Sequence, residues 1–284
     1  MGRIIAVIGG DERQIHLARL LKEDGWSVLT WGLEKKDPAF SVPLDRISEA
    51  EFVVLPLPVC RGDLLNSPLT DTELPVSELW KRLSSHQIIF GGMTAGLKES
   101  LKDTYGLDLL DYYDREEVQI ANAVPTAEGA IQYAMQAVGH TLHGSSCLVV
   151  GYGRIGKLLA HRLQWLGADV SVAARKLSDL AWVRAYSLTP IPINQLSHEL
   201  QKFDLIFNTV PAKVLDTECL QRIRESCVLF ELASKPGGFD EEDVKEYGLR
   251  EIDARGLPAK VAPKSAACVI RDSMYQILKE RGAL

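Results

Sequence analysis

One glycine pattern constrains this chain more than any other feature. Residues 151–156 read Gly-Tyr-Gly-Arg-Ile-Gly. An apolar strand pattern, Cys147–Val150, runs into it. An amphipathic helix pattern follows through Ile155, Leu158, Leu159, Leu163 and Leu166, and Gly167 stops it before a second strand pattern starting at Asp169. The bare spacing is common, but between a strand and a helix each glycine acquires a task. Gly151 permits the tight turn, Gly153 lets backbone approach a pyrophosphate, and Gly156 lets helix and strand pack closely. The free N–H groups and partial positive charge of the helix start then face the phosphates. An ordinary glycine turn is the bland alternative. The context favours a dinucleotide-binding βαβ unit over Ser146–Arg175, with Gly151, Tyr152, Gly153, Arg154, Ile155 and Gly156 as its binding turn.

The end of the second strand selects between cofactors. Where NAD is used, an acid there usually bonds the ribose 2′-hydroxyl. This chain reads Val172-Ala-Ala-Arg-Lys176 instead. A carboxylate would repel a 2′-phosphate, whereas Arg175 can grip one in a bidentate fork. Ala174, Arg175 and Lys176 therefore point to NADP. A solvated loop start is the competing explanation for the two cations.

Short apolar runs alternate with helical patterns on both sides of this unit, which implies mostly parallel sheets covered by helices. Strands are expected in the first half at Ile4–Ile8, Ser27–Trp31, Phe52–Leu57, Gln87–Phe90 and Leu107–Leu110. In the second half they are expected at Cys147–Val150, Asp169–Ala173, Asp204–Thr209, Val228–Leu232 and Arg250–Asp253. The expected fold class is α/β, with two Rossmann-like parallel-sheet domains and an interdomain cleft. Residues 1–115 form a substrate-side domain and residues 116–143 a helical connector, broken near Pro125 because proline disfavours helix just before it. Residues 144–262 form the NADP-binding domain. Residues 263–284 form a terminal helix, capped by Ser265, of the kind that packs back on a first domain.

Ligands of open α/β sheets sit beyond the carboxyl ends of the strands. Thr209, Val210 and Pro211 end one strand pattern, and Ala233, Ser234 and Lys235 follow another, so both segments should edge the nicotinamide. On the substrate side, Gly9-Gly10-Asp11-Glu12-Arg13-Gln14 joins the first strand to its helix. Gly10, the helix start and Arg13 suit a carboxylate, while Asp11 equally suits a plain helix cap. Gly91–Gly96, with Thr94, repeats the idea. Thr126 lies in the connector, and Lys260 and Lys264 follow the last strand.

Composition removes other classes. The formal net charge of −6 offers no field for nucleic acid or an anionic membrane. Cys60, Cys147, Cys219, Cys227 and Cys268 form no CxxC pair and are odd in number, which indicates neither a metal site nor a disulfide framework. They read as buried thiols in a reducing compartment. The apolar run Ile4–Ile8 is too short for a secretory leader, and no run approaches the roughly 18 residues of a membrane span. A cytoplasmic protein is expected, and a homo-oligomer stays open.

Taken in order, Gly-Gly-Asp-Glu-Arg-Gln at residue 9, Pro-Thr-Ala-Glu-Gly-Ala at 125, Gly-Tyr-Gly-Arg-Ile-Gly at 151, Ala-Ser-Lys-Pro-Gly-Gly at 233 and Leu-Pro-Ala-Lys-Val-Ala-Pro-Lys at 257 resemble the family of dipicolinate synthase A-type subunits from spore-forming bacteria. The first and last of these are the more specific. The resemblance implies NADP-dependent oxidation of a dihydrodipicolinate-type precursor to pyridine-2,6-dicarboxylate. It also implies a flavoprotein-like B-type partner, the other half of dipicolinate synthase, and a place in the mother cell during sporulation.

The chemistry agrees with the residues. Two ring carboxylates need cationic or N–H partners, for which Gly10, Arg13, Thr94, Thr126, Ser234, Lys235 and Lys264 are candidates, with Asp11 beside them. Glu128, His140 and His143 are candidate bases for the departing proton, with Lys264 also in the catalytic set. Glu128 as an early-helix charge and the histidines as linker residues are the bland readings. Two other functions compete: another NADP-dependent amino-acid or hydroxy-acid dehydrogenase, and a nucleotide-binding subunit whose catalysis resides in a partner.

Overall fold

The computed structural model describes residues 3–283 except 37, 40 and 95. Met1 and Gly2 of the expected first domain, Ala95 of the Gly91–Gly96 turn and Leu284 of the expected terminal segment lie outside the described residues. The chain divides into two units, residues 3–122 with 262–283, and residues 123–261.

The first unit runs β1 (Ile4–Ile8), α1 (Glu12–Glu23), β2 (Ser27–Trp31), β3 (Phe52–Val54), a small hairpin of β4 (Cys60–Arg61) and β5 (Leu64–Leu65), α2 (Val76–Trp80), β6 (Ile88–Gly91), α3 (Leu97–Tyr105) and β7 (Leu109–Asp111). The large sheet is parallel, in the order β2-β1-β3-β6-β7. Side chains alternate across it, so Ile5, Val7, Phe52, Val54 and Phe90 fill one core while Ala6, Ile8, Val53, Leu55 and Ile89 fill another. Burial on both faces is why these strands read as continuous apolar runs.

Next comes α4 (Glu116–Ala137), which continues through Pro125 instead of breaking there. Proline forfeits one helix hydrogen bond, but Ala123, Ala127, Ala130 and Ala134 keep one face of this helix buried past the proline. Thr126 is accordingly buried within the helix and is not the cap of a new one.

The second unit continues with β8 (Ser146–Val150), α5 (Arg154–Trp165), β9 (Asp169–Ala174), α6 (Leu177–Ala185), β10 (Thr189–Pro192), β11 (Leu205–Asn208), α7 (Thr217–Gln221), β12 (Val228–Glu231), α8 (Glu241–Glu246), β13 (Arg250–Asp253) and α9 (Leu257–Val261). Its parallel sheet has the order β10-β9-β8-β11-β12-β13, the doubly wound Rossmann arrangement. β10, written Thr-Pro-Ile-Pro, sits at the sheet edge, where proline's missing N–H is tolerated.

The last helix, α10 (Pro263–Glu280), belongs to the first unit. Ala267, Ile270, Met274 and Leu278 enter the core formed with α1, and the Ser273 hydroxyl donates to the Tyr112 carbonyl at 2.9 Å. The helix starts at Pro263, two residues before the expected cap Ser265. Proline at the first helical position is pre-set for the helix and loses no bond there.

Candidate functional site

Strand order fixes where ligands can bind. In the second unit the order reverses between β8 and β11, and the loops leaving these two strands flank the switch point. Gly151 leaves β8 with a φ of +99°, a conformation that side chains resist, and a Cβ there would meet Thr209 Oγ1 at 2.5 Å. A Cβ on Gly156 would collide with the Gly151 carbonyl oxygen, so helix and turn pack as closely as glycine allows. Gly153 is different. It is exposed, with nothing within 4 Å of its Cβ position, and stands at the N-cap of α5 with no side chain capping the helix. An uncapped helix start with open space at its cap is what an incoming pyrophosphate requires. The residues present therefore fit a dinucleotide.

The Tyr152 side chain turns away from that opening. Its ring is buried in the core, and its hydroxyl lies 3.3 Å from His161 Nε2. Only its backbone can serve a cofactor, which corrects the expectation for the side chain. Arg154 and Ile155 open α5. Ala174 closes β9 in a buried position, while Arg175 and Lys176 are exposed where α6 begins, again without a side-chain cap.

Across the switch point, the Thr209 N–H and hydroxyl both donate to the Val150 carbonyl, at 2.9 and 2.8 Å. The Val210 N–H donates to Asn208 Oδ1, and Pro211 is exposed. The next loop carries buried Ala233, then Ser234, and then exposed Lys235 and Pro236, with a cis Lys235–Pro236 bond. Holding these loops is a residue that sequence reasoning missed. The Glu231 carboxylate, 2% exposed, accepts from Asn208 Nδ2, the Ala233 N–H and the Gly238 N–H, each at 2.8 Å. Its signal was an acid inside the apolar run Val-Leu-Phe-Glu-Leu, since a buried carboxylate must find donors.

The expected substrate turn in the first unit is closed. The Gly9 N–H donates to the Trp31 carbonyl and the Gly10 N–H to the Asn66 carbonyl, at 2.8 and 2.7 Å. Asp11 caps α1 in a reciprocal box with Gln14. Arg13 is 8% exposed, forks onto Asp11 through Nε and Nη2, and donates to the Leu57 carbonyl at 2.5 Å. Burial alone would lower its pKa, but the bond and charge of Asp11 leave it raised. Gly10, Asp11 and Arg13 therefore stabilise the turn, with the Gly10 N–H and the Nε and Nη2 of Arg13 engaged internally. Thr94 is likewise fully buried, its N–H and hydroxyl both on Asp111 Oδ2. Thr126 is too deeply buried to offer much to a ligand. Beside Thr94, Met93 holds a φ of +56° and is half exposed, a strained position that no sequence pattern indicated.

The candidate bases separate. His140 and His143 precede β8, and His143 lies against Gly167 beyond the end of α5. They sit where strands begin, about 16 Å along a five-residue strand from the glycine turn. Both therefore lie at the opposite end of β8 from the glycine turn. Glu128, solvent-facing on α4, pairs with Arg162 at 3.7 Å. Lys264 is exposed in the first turn of α10, and Lys260 is exposed on α9.

The dinucleotide geometry leaves the chain's relatives to decide its family. Residues 4–113 match the family described as the N-terminal domain of the A-type subunit of dipicolinate synthase. The A-type subunit of dipicolinate synthase from Bacillus subtilis is 31% identical over 287 residues, covering 98% of this chain and 97% of that protein. The chain belongs to the dipicolinate synthase A-type family. The crystal structure of the Bacillus subtilis A chain superposes with a TM-score of 0.85 at 30% identity, over 100% of this chain and 98% of that one. The family's Bacillus halodurans structure gives 0.87 at 27% identity, over 98% of each chain. Residues 115–243 match the NAD binding domain of D-isomer specific 2-hydroxyacid dehydrogenases. This family member is thus built as an oxidoreductase with a nicotinamide dinucleotide site. Among the described residues, no helix is long and apolar enough to cross a membrane.

Proposed function

We propose that the chain oxidises a dihydrodipicolinate-type precursor to pyridine-2,6-dicarboxylate with NADP as hydride acceptor, in the mother cell of a sporulating bacterium and together with a flavoprotein-like second subunit. Membership of the dipicolinate synthase A-type family supports the substrate half of this reading. One observation carries the cofactor half: β9 ends on Ala174 with Arg175 and Lys176 exposed at the uncapped start of α6, where an NAD site would offer an acid.

A bound NADP supplies the carbon that accepts the hydride. The chain does the remaining work. The start of α5 holds the pyrophosphate, and Arg175 forks the 2′-phosphate. Thr209, Val210, Pro211 and Ala233 border the nicotinamide, while Lys235 and Lys264 provide exposed cations for the substrate carboxylates, with Ser234 as a hydroxyl donor. Removing a hydride and a proton from the dihydropyridine leaves an aromatic ring. The step is strongly downhill, so orientation matters more than activation.

The test is a turnover assay on the purified chain, alone and with its second subunit, using freshly generated precursor. Formation of NADPH, faster than that of NADH, is expected. Turnover of hydroxy or amino acids with no action on the precursor contradicts the substrate assignment. Cofactor binding without turnover, even with the second subunit present, contradicts catalysis by this chain.

A further inference from the structure

Asn208 ends β11 and Glu231 ends β12, and the two are direct partners in the parallel register. Between them they spend nearly every polar atom on the loops that follow. Asn208 Nδ2 donates to the Val210 carbonyl at 3.0 Å and to Glu231 at 2.8 Å, while its Oδ1 accepts from the Val210 N–H. Glu231 Oε1 also accepts from the Ala233 N–H, and Oε2 accepts from the Gly238 N–H across the intervening loop. Gly238 packs so closely on Asn208 that a Cβ there would collide with the amide. Each of these contacts to Glu231 is a donor, so only an acceptor at both oxygens completes the network. The buried pair therefore ties both loops to the ends of β11 and β12.

We propose that Glu231, acting through Asn208, is a positioning residue that fixes the loops at residues 209–211 and 233–238 against the nicotinamide half of the cofactor. The role rests on the reading of the second unit as a dinucleotide site. It contributes nothing at the 2′-phosphate end, because Arg175 and Lys176 follow β9 and the hydrogen bonds of this network run only among the ends of β11 and β12 and their loops.

The test separates the two halves of the cofactor. In the full chain, Glu231→Gln keeps size and shape, but its amide nitrogen faces either Gly238 or the Asn208–Ala233 pair, leaving donor against donor. Binding of 2′,5′-ADP should be unchanged. NADPH affinity should fall about tenfold or more, as when a buried donor loses its acceptor, and the change in nicotinamide fluorescence on binding should shrink. Gly238→Ala, which leaves the carboxylate itself in place but displaces the Asn208 amide that donates to it, should reproduce the pattern and replaces Glu231→Gln if that variant does not fold. Equal losses of 2′,5′-ADP and NADPH, or no loss of either, overturn the positioning role while leaving the dinucleotide site intact. A wild-type chain that binds neither ligand overturns both.

Discussion

Arg13 Nη2 reaches the Leu57 carbonyl at 2.5 Å while the same guanidinium forks onto Asp11, so the turn after β1 is tied to the loop after β3. These loops flank the point where strand order reverses in the first unit, the position where a ligand-gripping arginine is expected. Here the arginine holds the protein itself. With the Gly9 and Gly10 amides also engaged, these groups form a built frame at the rim of the sheet.

Arg13→Ala should therefore act on stability. It strips the Asp11 carboxylate and the Leu57 carbonyl of their donor in a largely buried setting, at a cost of roughly 2–4 kcal/mol. Arg13→Lys should recover only part of this, because an ammonium cannot make the fork. Urea unfolding measures the loss. An Arg13→Ala protein of normal stability but impaired substrate affinity would return Arg13 to the substrate site.

Two glycines of the dinucleotide turn should part company. Gly153 has open space and an extended backbone, so Gly153→Val should fold and melt normally yet fail to bind cofactor. Gly156→Ala puts a methyl group into the Gly151 carbonyl and should destabilise the second unit. Melting curves alongside NADPH titrations read both effects. A folded Gly153→Val variant with full cofactor affinity refutes the assignment of the turn.

Burial pushes the Cys147 and Cys227 thiols up to about 12. In the folded chain they stay protonated, and only the thiolate is nucleophilic. At mildly alkaline pH both should resist a disulfide reagent until urea is added. The linkage has a definite sign. Above the ordinary thiol value of 9.0 the unfolded chain releases protons that the folded chain retains, so stability falls as pH rises from there towards about 12. Replacing both cysteines with alanine should lessen that decline, to which the Cys219 thiol, also pushed up to about 12 by burial, contributes as well; an unchanged slope would assign it to other groups.

Much of the fold was legible because strands buried on both faces must be apolar throughout. Ile4–Ile8 stands where the sequence pattern puts it, and the central strands β8 and β11 fall on the expected apolar runs. Elements escaped where that signal fades. β4 and β5 have two residues each, too few for periodicity, and the prolines of β10 argue against a strand until its edge position is known. At the sites, glycine turns were readable because each glycine answers to its own backbone. Whether a donor is free was not, since the partners of Gly10 and Thr94 lie far along the chain at Asn66 and Asp111. The separation of His143 from the glycine turn was equally hidden, since it depends on the length of β8 between them.

With Arg13 occupied, Lys264 becomes the cation of the first unit to test. It is exposed in the opening turn of α10, so Lys264→Ala should leave folding and NADPH affinity unchanged while raising KM for the substrate. Loss of one charge-assisted hydrogen bond corresponds to about tenfold to a hundredfold. An unaltered KM would remove Lys264 from the substrate set.

The most direct measurement is the dissociation constant of NADPH and of NADH for the wild-type chain and for Arg175→Ala. Tighter binding of NADPH by the wild type is expected. Arg175→Ala should weaken NADPH about tenfold to a hundredfold, the value of a charged hydrogen bond, and leave NADH nearly unchanged. Equal affinity for the two cofactors, or an equal loss of both in the variant, would contradict an NADP-selecting site at the end of β9.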